Sequence, residues 1–130
     1  MKSGWQVHRG KRFLYCDFSN FGRDVAGLKA EVEAADAEIV KQPKDTVLAL
    51  ADLRGTVTSS EVVDLFKHSA VRTKGYVKKQ AVVGISGIQK VLAQAVAWFS
   101  RQALVLFDNA DDAKDWLADA KQGGQVIAVD

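Results

Sequence analysis

The 130-residue chain has little cysteine and little proline: one of each, Cys16 and Pro43. A lone cysteine excludes an intrachain disulfide and any metal cage built from several thiolates. Cys16 lies in an apolar strand pattern, which favours a buried structural thiol over a reactive one. One proline suits a molecule built mostly of regular elements. No apolar run reaches the ~18–20 residues of a membrane-spanning helix. The N-terminal MKSGWQVHRGKRF lacks the apolar stretch of a signal peptide, so a reducing cytoplasm is the expected setting. Neither charge sign dominates: 18 basic against 16 acidic residues leave a formal net charge of +2. That balance gives no reason to expect nucleic acid as a partner. The two histidines, His8 and His68, are thin material for a Ser/His/acid triad.

What is present is an ordinary globular composition, 48% apolar and 26% charged, enough for one domain with a real core. The core is expected over about residues 5–120, with 121–130 as a tail. Segment 46–60, TVLALADLRGTVTSS, sets the architecture. A buried-strand pattern runs into Asp52, then a glycine turn, then a Thr/Ser run of the kind that caps helices. The same strand-then-helix unit recurs at 80–98 and 103–117, the rhythm of an α/β sheet. Upstream, strand patterns at 5–8 and 12–16 flank Arg9-Gly10-Lys11 and predict a hairpin. A helix is predicted over 23–42, with Val25, Leu28, Val32, Ala35 and Ile39 on one stripe and Pro43 as its stop. Thr58 with Glu61 forms a capping-box pattern before a helix at 59–72, and Ser86 with Gln89 forms another before a helix at 87–101. Residues 73–79 read as a basic loop. Asn109 caps a helix predicted over 110–122, and 126–129 read as a short tail strand.

The expected fold is therefore a single α/β domain with element order β-β-α-β-α-β-α-β-α. Right-handed crossovers make its mixed sheet mostly parallel, with an antiparallel N-terminal edge strand and helices packed on the sheet.

Asp17, Asp52, Ser86 and Asp108 fall at the carboxyl ends of predicted strands, where open α/β sheets collect ligands. Paired carboxylates there can do acid–base work; the same residue types also cap helices and brace turns. Ser86 lies in Gly84-Ile85-Ser86-Gly87, and Ile88 breaks the Gly-x-Ser-x-Gly elbow. Ser86 reads instead as a helix cap, and the helix N-terminus beside Gly87 offers free N–H groups to an anion. Walker-type and Rossmann-type glycine patterns are absent. A basic stretch, Lys67, His68, Arg72, Lys74, Lys78 and Lys79, flanks Tyr76. Such a stretch attracts an acidic lipid head group, a phosphate or an acidic partner, or is a solvated loop. It lacks the repeated aromatics of a single-strand nucleic-acid platform. The 88–99 segment, with Trp98 and Phe99, is apolar nearly all round and is expected to be buried on more than one side. Its cover is the sheet and neighbouring helices, a dimer contact, or an apolar cavity that it closes over a lipid-like ligand.

The segments YCDFSN at 15–20, KQPKDTVLALADLRGT at 41–56, YVKKQAVVGISGIQKVLAQAV at 76–96 and FDNADDAKDWLAD at 107–119, taken in order, resemble the SpoIIAA-like family of small bacterial proteins. These are grouped with STAS domains and the CRAL-TRIO lipid carriers. The resemblance spans about residues 6–120. It implies an STAS-like sheet covered by helices and a role in binding or regulation without catalysis. Anti-anti-sigma factors of the wider group carry a phosphorylatable serine in an Asp-Ser-Ser-Gly-Leu motif. The comparable region here, residues 55–61, keeps a Ser59-Ser60 pair and lacks the preceding aspartate and the following Gly-Leu.

The leading expectation is a non-enzymatic regulatory or protein-interaction module, with its surface at 55–66 around Thr58, Ser59 and Ser60. The alternative is a carrier or sensor of a lipid-like or small apolar ligand. A third reading is a hydrolase using Asp17, Asp52 or Ser86. No cofactor or metal is expected. An exposed Trp98–Phe99 patch would favour a homodimer, and peripheral membrane contact is compatible with the basic stretch.

Overall fold

Alternating apolar strands and amphipathic helices give the order read from the sequence, with one strand more. The computed structural model describes residues 1–85 and 89–127. Its elements are β1 (Gly4–His8), β2 (Lys11–Asp17), α1 (Val25–Ile39), β3 (Val47–Asp52), α2 (Ser60–Thr73), β4 (Val77–Val83), α3 (Gln89–Ser100), β5 (Leu104–Phe107), α4 (Ala110–Leu117) and β6 (Gln125–Ile127). The six strands lie side by side in chain order, β1-β2-β3-β4-β5-β6. β2 to β5 run parallel, and β1 and β6 close the two edges antiparallel. β6 comes from the expected tail strand; residues 128 and 129 lie outside the described residues.

The opening hairpin turns on Arg9 and Gly10, with φ of 51° and 78°. A two-residue turn that matches strand twist needs φ > 0 at both positions, which glycine supplies freely and arginine does not. One oxygen of Asp115 receives both Arg9 Nε at 2.9 Å and His8 Nε2 at 2.7 Å, and so ties this turn to α4.

Strand alternation sorts the side chains onto two faces. Leu14, Cys16, Ala49, Ala51, Val82 and Leu104 point towards α1, α2 and α3. Phe13, Leu50, Ala81, Val83, Val105 and Phe107 point the other way, where Ala113 and Leu117 of α4 cover them. Cys16 is buried, as its strand pattern implies, and burial pushes its thiol far above the ordinary range.

Several expectations are corrected. Ser59, and not Thr58, caps α2: its Oγ accepts from the Val62 N–H at 3.3 Å. The Ser86–Gln89 cap lies outside the described residues. β4 begins at Val77, so only 74–76 remain of the basic loop expected at 73–79. α4 stops at Leu117, short of 122. Asp119 turns to φ 63°, and the Trp116 carbonyl accepts both the Asp119 N–H at 3.1 Å and Lys79 Nζ at 2.9 Å. α3 is not enclosed on more than one side. Ala93, Val96, Ala97 and Ser100 are buried, while Val91, Trp98 and Phe99 are 67%, 56% and 52% exposed.

Candidate functional site

Parallel pairing brings the strand-end residues to one edge of the sheet. Asp17 and Asp52 are partners in register across β2 and β3. Their carboxylates serve different neighbours. Asp17 Oδ1 accepts from the Ser19 hydroxyl at 2.5 Å and lies 3.6 Å from Lys2 Nζ. Asp52, 1% exposed, accepts from Tyr15 Oη at 2.5 Å, from Arg54 Nε at 3.0 Å and Nη2 at 2.6 Å, and from the Arg54 N–H at 3.1 Å. Burial pushes the Asp52 carboxyl up, but the Arg54 and Tyr15 hydrogen bonds outweigh it and hold the group below the ordinary carboxylate range. Burial, then the Asp52 carboxylate, push the Tyr15 phenol up to about 12. At neutral pH the cluster is thus a carboxylate clamped by a guanidinium and a phenol that keeps its proton. It braces the ends of β2 and β3. Asp108 is exposed beyond β5, and Asn109 Oδ1 caps α4 by accepting from the Asp112 N–H at 2.8 Å. Ser86 and Gly87 lie outside the described residues.

The basic stretch divides by role. Arg72 is structural: its Nη2 donates to Asp36 Oδ2 at 2.6 Å, and Ser69 Oγ donates to Asp36 Oδ1 at 2.7 Å. Burial outweighs these bonds and leaves the Asp36 carboxyl above its ordinary range. Lys79 is structural too, donating to Asp119 at 2.6 Å and lying 4.8 Å from the Trp116 ring centre. Lys67 lies 3.8 Å from Asp64 and 5.5 Å from the Phe99 ring centre. Lys74 and Lys78 face solvent and share a surface cleft with Arg101. Among the described residues, no group of three or more His, Cys, Asp or Glu could hold a metal ion.

In the 55–66 region, Ser59 Oγ is committed to the helix cap, and Ser60 is exposed on the first turn of α2. Thr58 Oγ1 accepts from Gln89 Nε2 at 3.1 Å, linking the start of α2 to the start of α3.

Beneath that link lies an apolar cavity of about 90 Å³ between the sheet and helices α1, α2 and α3. Cys16, Ala51 and Val82 form its floor, and Val63, Phe66, Leu92 and Val96 form much of its roof. Asp36, Ser69 and Gln80 contribute to the polar part of the lining, with Thr58, Thr73, Gln89 and Gln102. A single water needs about 10–15 Å³ of such space, so the cavity is several times larger than a packing defect. It exists because small residues, Ala35, Ala51, Ala70 and Ala93, stand where the helix layer meets the sheet.

No protein-family model, curated protein or solved structure matches the chain. Among the described residues, no helix is long and apolar enough to cross a membrane.

Sequence reasoning missed Tyr15 and Arg54 as partners of Asp52, and Glu31 and Asp36 as buried acids of α1. Glu31 accepts the Lys2 N–H at 2.9 Å and the Ser3 N–H at 2.8 Å, which hold its carboxyl below the ordinary range against the upward push of burial. The signal for Asp36 was available: it follows Val32 by four residues on the buried stripe. Arg101 carries no such signal, because only the fold brings it beside Lys74 and Lys78.

Proposed function

We infer that the protein binds a small apolar ligand between its sheet and the α1–α3 layer. The cavity carries this reading: a mostly apolar chamber with a few polar groups is the usual form of a small-molecule site. Among the described residues every buried side-chain polar atom has a hydrogen-bond partner, so the polar part of the wall makes no demand for water. The SpoIIAA-like kinship is part of the proposal, since its grouping with CRAL-TRIO carriers implies a lipid-like cargo.

Two measurements test it. Native mass spectrometry of gently purified protein, followed by denaturing extraction, should reveal an apolar small molecule. If the protein arrives empty, titration with benzene should shift the methyl resonances of Val63, Val96 and Leu104. Ala93→Leu should fill the chamber, abolish both signals and keep or raise the melting temperature, as cavity filling does. A clean extract together with unmoved methyls would sink the proposal.

A regulatory reading is favoured by one observation, the exposure of Ser60 beside the occupied Ser59 cap. A phosphate on Ser60 would sit at the positive end of α2, over the cavity roof. Ser60→Glu should therefore leave stability unchanged or raise it by about 0.3–1 kcal/mol. Ser59→Ala should cost about 1 kcal/mol through loss of the cap. Thermal denaturation distinguishes them, and a phosphopeptide map of protein from its own cells showing only unmodified Ser60 would remove this reading.

A further inference from the structure

Residues 65–107, which span most of α2, all of β4 and α3, and β5, contain no aspartate or glutamate and seven lysines or arginines. Three of these cations face carboxylates: Arg72 on Asp36, Lys79 on Asp119 and Lys67 on Asp64. Three others converge although 27 residues separate the first from the last in sequence. Lys74, Lys78 and Arg101 line one surface cleft of about 440 Å³ between the α2–β4 loop and the end of α3. None of the three makes an ion pair with a carboxylate among the described residues. Arg101 has a left-handed backbone, φ 58°, which ends α3 and starts the turn into β5.

Beside this cleft stands the uncovered side of α3. Trp98 precedes Arg101 by three residues, about one helical turn. Phe99 follows it, with the Lys67 ammonium 5.5 Å and the His68 ring 5.8 Å from its ring centre. Exposed aromatics bordered by an excess of cations, with Asp64 beside Lys67 at the margin, match the chemistry of an anionic bilayer. Aromatic side chains enter the boundary between head groups and acyl chains, and the cations meet lipid phosphates. A free phosphate would use the cations and leave Trp98 and Phe99 unexplained. A second copy of this chain would set the same net-cationic surface against itself, because a two-fold contact is self-complementary.

We propose that the outer face of α3, with the Lys74–Lys78–Arg101 cleft, docks the protein on anionic lipid membranes. The docking is independent of any ligand in the interior cavity. Aromatic insertion supplies the apolar contact, and the three cations supply selectivity for negatively charged lipid.

The test is co-sedimentation of the full chain with vesicles of phosphatidylglycerol and phosphatidylcholine, against vesicles of phosphatidylcholine alone. Binding is expected to the first and not the second, and to weaken as salt rises. Removing three surface cations at about 1 kcal/mol each predicts a loss of roughly a hundredfold in the Lys74→Ala, Lys78→Ala, Arg101→Ala triple variant. Trp98→Ser should weaken binding and abolish the blue shift in tryptophan emission that vesicles induce in the wild-type chain. All these side chains are exposed, so the variants should melt as the wild type does, and benzene uptake by the interior cavity should be untouched. Equal binding to both vesicle types, no binding to either, or a triple variant that binds like the wild type would each overturn the proposal. So would competition by millimolar inorganic phosphate that is unchanged by Trp98→Ser, which marks a free-anion site. A dimer in light scattering that Trp98→Ser dissolves would overturn it in favour of self-association.

Discussion

Arg54→Ala should destabilise the protein by about 3–5 kcal/mol, the cost of stranding a buried charge, and by more than Asp52→Asn does. Water already screens the exposed guanidinium, which places the value nearer the lower end. The asymmetry follows from burial. Asp52 is 1% exposed, whereas the Arg54 side chain is 58% exposed. Without Arg54 the carboxylate keeps only the Tyr15 hydroxyl and a backbone N–H; without the carboxylate, Arg54 turns to solvent. The pH dependence should differ as well. In the wild type the Asp52 carboxyl lies below its unfolded value of about 3.9. Its contribution is therefore complete above that unfolded value and is lost as pH falls through the lower folded one. In Arg54→Ala, burial wins and the folded value rises above the unfolded one. The native state then binds the proton more tightly, so the variant's deficit should shrink as pH falls from 7 to 5. Urea denaturation of both variants at the two pH values is the measurement. Equal losses that do not move with pH would refute the account.

Leu117→Ala should cost about 2–5 kcal/mol, the range for emptying a buried leucine site. Leu117 is 2% exposed, and α4 is the only helix on its face of the sheet among the described residues. The face it covers is broad, while α4 has eight residues and buries there only Leu117 and Ala113. Trp116 packs against Phe107 with ring centres 5.4 Å apart, and Asp115 holds the hairpin turn. Losing Leu117 should therefore free α4 before the rest of the sheet opens. Amides of 110–117 should exchange with deuterium well ahead of those in β3 and β4, and tryptophan emission should shift to the red. Exchange that rises uniformly along the chain would show instead that α4 opens only with the whole molecule.

The element order was legible because it rests on local signals. Leu28, Val32, Ala35 and Ile39 mark the buried stripe of α1, and Val47 to Ala51 read as a strand buried on both faces. The strand order was not legible, because pairing between distant segments leaves no trace in a single chain. For the same reason Asp52 was visible as a strand-end acid and its partner Tyr15, 37 positions away, was not. α3 misled for a physical reason. Apolar composition predicts burial, and the helix buries Ala93, Val96, Ala97 and Ser100 and packs Leu92 partly against the core. Val91, Trp98 and Phe99 stay outside. Periodicity says that a helix has an apolar side; it does not say whether the protein itself supplies the cover.

The chain-order sequence of strands also bears on assembly in time. Each strand of the sheet pairs with the one made just before it, so no strand has to insert between two that are already joined. Closing each crossover needs only one loop of modest length, which keeps the entropic barrier of every step small. A chain emerging from the ribosome meets each partner already in place and can lengthen its sheet from one edge as synthesis proceeds.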